Sequence, residues 1–227
     1  MRADRADQIA IRSQDRKEPT GRYADLIRQG IEQATRGDSE ETLAETCQTL
    51  SENPESTLEA AGEWWSWAAA NPDLRWAVIY VLSLQPPRSS IQFFLRKALD
   101  PIPERDREVA NVCETTRDGE VLVRIMATEA LARCVGVEDT AEVVEALLQV
   151  VQGQAEPAVQ AEAVVQLLDV DESRADGLRK LLPKEQRHFV ELRPVDHPEE
   201  VAGATADLDL GEGSPPPQLD DQKDVYG

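Results

Sequence analysis

Tryptophan supplies the most distinctive chemistry in this chain, because three of its four copies stand within four positions, at Trp64, Trp65 and Trp67. Successive residues of a helix point about 100° apart, so a single helix face cannot bury three such neighbours. The segment therefore has two possible structures. Either helices pack on two sides of it, or at least one indole is exposed and anchors a partner, a role in which tryptophan is over-represented.

Cationic side chains follow the tryptophans along the chain. Together with the indoles they predict a partner-binding site composed of Trp64, Trp65, Trp67, Arg75, Arg96 and Lys97. An alternative use of the same charges is a basic strip that contacts nucleic-acid phosphates. That strip would comprise Arg75, Arg88, Arg96, Lys97, Arg105, Arg107 and Arg124.

Side chains that bind metals or act as nucleophiles are few. The only histidines, His188 and His197, stand nine positions apart, whereas a helical zinc pair needs a spacing of about four. The cysteines are odd in number and far apart, which is typical of small buried hydrophobes in a reducing compartment; they are Cys47, Cys113 and Cys134. The sequence predicts no catalytic residue, no cofactor and no metal ligand.

Acidic residues dominate the charge balance. The chain has 44 Asp and Glu against 24 Lys and Arg, which gives a formal net charge of −20. Such a surface repels nucleic-acid phosphates and favours basic partners. The sequence therefore predicts another protein as the partner, with a basic surface as one option, and disfavours nucleic acid.

No apolar segment of the sequence is long enough to cross a bilayer. The longest apolar run, Trp76 to Leu82, is far shorter than the roughly 20 residues that a membrane helix needs. The N-terminal residues carry charges but no apolar core of a secretion signal. We expect a cytoplasmic protein without a membrane partner.

Three regions of the chain differ in composition. Residues 1–19 are polar and predict a mobile N-terminal segment. Residues 20–192 carry apolar side chains at helical spacing and predict a helical-repeat domain. Residues 193–227 are acidic and rich in Pro and Gly, which predicts a disordered tail that either reaches a basic partner or keeps the protein in solution.

Caps and prolines predict the helix boundaries of the helical domain. Asn53-Pro54 and Asn71-Pro72 each predict a helix start, because proline in the first turn loses no hydrogen bond. The helix after Asn71 is apolar nearly all round, so we expect it to be buried between neighbours. A further helix is predicted over residues 104–114.

Two helix pairs repeat one another within residues 118–182. The first helices align at an offset of 36 residues, which superposes Leu131 on Leu167. The second helices align at an offset of 34 residues, which superposes Leu147 on Leu181. Such a repeat predicts antiparallel helix pairs that stack into a continuous core. The residues expected to be buried together are Val123, Ala127, Leu131, Val144, Leu147 and Leu148.

The repeated helices resemble the inner helix of a HEAT-type repeat, in which Pro, Val, Arg, Ala, Ala and Leu recur at set positions. One match begins at Val123-Arg124 and a second at Glu156-Pro157, with Gln160 where the family has arginine. The resemblance implies an all-α, short HEAT-like solenoid with an extended surface for other proteins. Some HEAT-like proteins are instead DNA-repair glycosylases that use aromatic and basic residues along a concave face.

Together, the pattern and the resemblance predict a non-enzymatic scaffold for protein–protein interaction or assembly. The alternative is a nucleic-acid-binding HEAT-like protein of the DNA-repair glycosylase type, which would use the Arg/Trp strip in the middle of the chain. Salt dependence separates the two hypotheses, because phosphate contacts weaken steeply as salt rises and apolar contacts do not.

Overall fold

A computed structural model describes residues 17–36, 39–102 and 117–192, which belong to one compact unit. Within these ranges the fold is all-α and contains no named strand, as the sequence predicted.

Several sequence predictions fall outside the described residues. They are most of the N-terminal segment, the helix over residues 104–114 with Cys113, and the tail over residues 193–227.

The first three helices in the described residues are α1 (Arg22–Arg36), α2 (Glu40–Ser51) and α3 (Pro54–Trp67). At the start of α2 the Ser39 hydroxyl accepts the N–H of Thr42 at 3.4 Å. At the start of α3 the Asn53 side chain accepts the N–H of Ser56 at 3.4 Å. These caps satisfy N–H groups that have no partner within the first helical turn.

The middle of the fold consists of α4 (Pro72–Leu84) and α5 (Ile91–Leu99). Asn71 caps α4 by accepting the N–H of Leu74 at 3.0 Å, which confirms the predicted start. Ser90 precedes α5 but makes no side-chain cap. Its hydroxyl instead lies 3.5 Å from the sulfur of Cys134, which stands two residues beyond the end of the helix Arg117–Ala132.

The remaining helices are α6 (Arg117–Ala132), α7 (Thr140–Gly153), α8 (Pro157–Val170) and α9 (Ala175–Leu181), with 3₁₀ helices at Glu172–Arg174 and Lys184–Glu191. Asp139 caps α7 by accepting the N–H of Ala141 at 2.8 Å. Proline occupies the first turn of α8, as predicted.

Helices α4, α6 and α8 form one layer. Near the start of α4 and α6, Arg75 pairs with Glu120. Near their ends, Arg133 donates to the Ser83 hydroxyl at 2.7 Å. The two helices therefore run parallel, and α6 packs in turn against α8.

Helices α5 and α7 form a second layer. Their starts meet where the Ser89 N–H donates to the Glu138 carboxylate, and their ends meet where Gln154 donates to the Ala98 carbonyl at 2.7 Å. α5 and α7 are therefore parallel to each other. Since α5 runs from Cys134, at the end of α6, back towards the α6 start, the two layers are antiparallel. The predicted stacking of antiparallel helix pairs is confirmed.

Helices α1 and α2 pack on the side of α4 that is away from α6. Gly30 of α1 faces Val81 so closely that a Cβ at this glycine would lie 2.8 Å from a Val81 methyl carbon. The Cys47 thiol of α2 lies 3.4 Å from the Val81 carbonyl oxygen. Burial raises the pKa of this thiol to about 11, so it stays protonated at neutral pH.

The predicted repeat core is buried, with one exception in each helix pair. Leu131, Leu147 and Leu167 are fully buried, whereas Leu148 is only partly buried. Leu181, which the repeat superposed on Leu147, is 46% exposed, so that alignment is wrong at this position. The reason is that α9 ends at Leu181. The backbone is extended at Leu182, so the side chain of Leu182 enters the core instead.

Leu131→Ala tests the core of the stacked pairs. Removing this fully buried side chain from α6 should lower the free energy of unfolding by about 2–5 kcal/mol, because the packed interior cannot collapse into the cavity. Leu122→Ala is the matched control on the same helix, since Leu122 is 56% exposed. Urea unfolding followed by circular dichroism measures both variants, and equal losses would contradict the packing.

Candidate protein-interaction site

Trp64 belongs to the core. Its side chain is 3% exposed, and its indole N–H donates to the Ala24 carbonyl oxygen at 3.0 Å. Its ring meets the edge of Trp67, with the ring centroids 5.3 Å apart. Trp64 therefore fastens α3 to α1, and its indole offers no surface on which a partner could be anchored.

Trp65 is also buried, and two of the predicted cations lie over its ring. The Lys97 ammonium is 4.4 Å and the Arg75 guanidinium carbon 5.1 Å from the ring centroid. Both distances fit cation–π contacts. The structure thus brings together Trp65, Arg75 and Lys97, three of the predicted site residues, but as a packed cluster with little surface.

Burial lowers the pKa of Lys97, and the positive charges nearby add to this effect, while Asp100 at 4.0 Å opposes it. Arg96, the neighbouring predicted site residue, is exposed and donates to the carbonyl oxygen of Gln92 at 3.0 Å. The two adjacent cations therefore have different environments. Of these two cations, only Arg96 is exposed and accessible to a partner.

A buried triad of charges lies beside Trp65. The Glu120 carboxylate accepts from Arg75 with one oxygen and from Arg124 with the other. All three side chains are at least nine-tenths buried. Burial lowers the pKa of Arg124 and Glu120 opposes that shift; arginine remains charged in any case.

The triad extends to the end of α5. Arg124 also donates to the carbonyl oxygens of Asp100, at 3.1 Å, and Pro101, at 2.9 Å. Among the described residues, the Arg75 Nε has no hydrogen-bond partner. One carboxylate thus connects α4, α6 and the residues that follow α5.

This triad corrects the hypothesis of a basic strip. Arg75 and Arg124 point into the protein and share the Glu120 carboxylate, so they cannot contact phosphates. Arg105 and Arg107 lie outside the described residues. Among the described residues of the strip, Arg88 and Arg96 are exposed.

Trp67 is the half-buried member of the tryptophan cluster. It lines an open groove of about 690 Å³ between α3 and the residues before α1. Glu18, Glu59 and Glu63 also line this groove. Trp67 therefore keeps access to solvent, in an acidic setting.

The fourth tryptophan, which the sequence placed in a buried helix, is the exposed one. Trp76 is 38% exposed on α4 and stacks on Tyr80, with the ring planes 8° apart and the centroids separated by 5.1 Å. Leu84, one turn further on, is exposed as well. The prediction that α4 is buried on every side is wrong, because α1, α2 and α6 leave one face uncovered. We call Trp76, Tyr80 and Leu84 the α4 face.

A further exposed apolar residue lies on α6, the helix that packs against α4. Leu122 is the most exposed large hydrophobic residue described, and it follows Glu120 by two positions. Trp76 follows Arg75 by one position. Since Arg75 and Glu120 are paired, Trp76 and Leu122 lie at the same level of two adjacent helices. The helical spacing of 76, 80 and 84 was visible in the sequence, but the packing partners were not.

The described residues contain no group of His, Cys, Asp and Glu side chains arranged to hold a metal ion. Among the helices described, none has the length and apolar character required to cross a bilayer. A scan against protein-family models returns no match, and neither does a search of curated proteins or of solved structures. The HEAT-like resemblance stays a prediction.

Glu120→Gln tests the buried triad. The substitution leaves two buried guanidinium groups without a counter-charge, so the free energy of unfolding should fall by about 3–5 kcal/mol. Glu142→Gln, an exposed carboxylate on α7, should change it by less than about 0.5 kcal/mol. Urea unfolding at neutral pH measures both, and a negligible effect at Glu120 would show that the triad is hydrated in solution.

Proposed function

We propose that this protein is a cytoplasmic, non-enzymatic interaction scaffold that binds another protein through the α4 face. The observation that carries the proposal is the stacked Trp76–Tyr80 pair, in which Trp76 is exposed and Tyr80 is partly buried, while residues on the other sides of the same helix are fully buried. Tryptophan and tyrosine are, together with arginine, the residues enriched among the energetic anchors of protein interfaces.

The rigidity of α4 supports this use of the face. Directly behind Trp76, Arg75 is held by Glu120 and lies over the Trp65 ring. Ser83, near the end of the helix, is held by Arg133. An aromatic pair on a fixed helix loses little conformational freedom when a partner covers it, which preserves binding free energy.

A protein partner accounts for this face better than nucleic acid does. The face consists of aromatic and aliphatic side chains, and the arginine next to it is buried and paired. A net charge of −20 also opposes the approach of phosphates. Leu122 at the same level of α6 would widen the apolar contact area.

Affinity purification with the full chain as bait tests the proposal. A Trp76→Ala, Tyr80→Ala variant should lose a bound protein that the unchanged chain retains at both low and high salt. The matched control is Leu181→Ala, Leu192→Ala, which removes exposed apolar side chains elsewhere and should retain the partner. Trp67→Ala examines the separate groove beside α3 in the same experiment.

Three results would contradict the proposal. The first is recovery of nucleic acid that washes off with salt and is unaffected by the α4 variant. The second is equal loss of the partner from the α4 variant and the Leu181 control. The third is a partner that only Trp67→Ala releases, which would move the interface to α3.

A further inference from the structure

A second groove lies between the parallel helices α5 and α7, away from the α4 face. Its volume is about 560 Å³. Ile91 and Leu95 from α5, with Ala141 and Ala146 from α7, provide an apolar floor. The groove is open to solvent, and its lining residues come from α5, from α7 and from the residues just before each helix.

Carboxylates form one rim of this groove. Glu142 and Glu145 are exposed on α7 and lie three residues apart, on one face of the helix. Glu138 precedes them on the same side, and its carboxylate accepts the N–H of Ser89. In the described part of the chain neither Glu142 nor Glu145 takes part in an ion pair, although most arginines described are paired with a carboxylate.

Among the described residues that line the groove, none is cationic. Gln92 stands on the α5 side. Arg96, one turn further along α5, donates instead to a main-chain carbonyl and lies outside the lining. Among the described lining residues the rim carboxylates therefore have no cationic partner, and an apolar floor beside them favours a ligand that is both apolar and positively charged.

We propose that the α5–α7 groove binds a basic amphipathic segment of a partner protein. Apolar side chains of the segment would lie on Ile91 and Leu95, and lysines or arginines spaced by three or four residues would meet Glu142 and Glu145. This is the helix-in-groove mode of recognition, with specificity added by charge. The site uses helices different from those of the α4 face, so it stands independently of the proposed function.

A defined peptide tests the groove without knowledge of the natural partner. The probe is a fluorescein-labelled peptide, acetyl-LKKLLKLLKKLLKL-amide, which has the 14-residue length of α7. A scrambled peptide of equal composition, without an apolar face, serves as the control ligand. Fluorescence anisotropy at physiological salt gives the dissociation constants for the full-length protein.

Variants separate a specific groove from general attraction to an acidic protein. Glu142→Gln, Glu145→Gln should weaken binding of the probe by about tenfold or more, since two charge contacts are lost. Glu41→Gln, Glu45→Gln makes the same change in net charge on exposed positions of α2 and should alter binding less than about twofold. Ala141→Leu, which fills the floor and leaves the charges, should also weaken binding.

The proposal is overturned if both double variants weaken binding equally, because net charge alone would then explain it. Equal binding of the scrambled peptide, or no binding of either peptide, overturns it as well. Trp76→Ala, Tyr80→Ala should bind the probe unchanged. If that variant alone lost the probe, the peptide would occupy the α4 face and the groove assignment would be wrong, while the proposed function would stand.

Discussion

Glu120 is the one negative charge on which the centre of this fold depends. Two buried guanidinium groups converge on its carboxylate, from Arg75 of α4 and Arg124 of α6, and Arg124 also holds the carbonyl groups that follow α5. Charged groups can be buried without a large loss of stability only when they are paired. Proteins in which apolar residues replace such a triad are often as stable as the original. The value of the triad here lies in register: it fixes which turn of α4 faces which turn of α6.

That register determines which side of α4 remains exposed to solvent. With Arg75 turned inward to Glu120 and Trp65, the next residue, Trp76, points to solvent and stacks on Tyr80. Arg75 and Arg124, two of the arginines of the proposed strip, are buried inside the protein, so they are separated from the aromatic side chains at the surface. The acidic groove between α5 and α7 belongs to the other layer. The two layers thus present surfaces of different chemistry, one aromatic and apolar, the other apolar and negative.

Local sequence patterns predicted most of the fold, because helix starts and buried stripes depend on neighbouring residues. Asn71-Pro72 predicted the start of α4, and the repeat predicted that Leu131 and Leu147 are buried. The candidate site was predicted less well. The Glu120–Arg124 pair has the spacing of one helical turn, but Arg75 is 45 residues from Glu120 in the chain, and only folding brings them together. For the same reason, the sequence of α4, which is apolar nearly all round, did not reveal that the neighbouring helices would leave Trp76 exposed.

Hydroxyl-radical footprinting of the full chain, with oxidation located by mass spectrometry, tests the central claim that Trp76, and not the Trp64–Trp65 pair, is the accessible indole on the interaction surface. All indoles have the same intrinsic reactivity, so differences in rate report access to solvent. The structure predicts fast oxidation of Trp76, slow oxidation of Trp64 and Trp65, and an intermediate rate for Trp67. A Trp76 as protected as Trp64 would contradict the account, because the α4 face would then be covered and the interface would have to lie elsewhere.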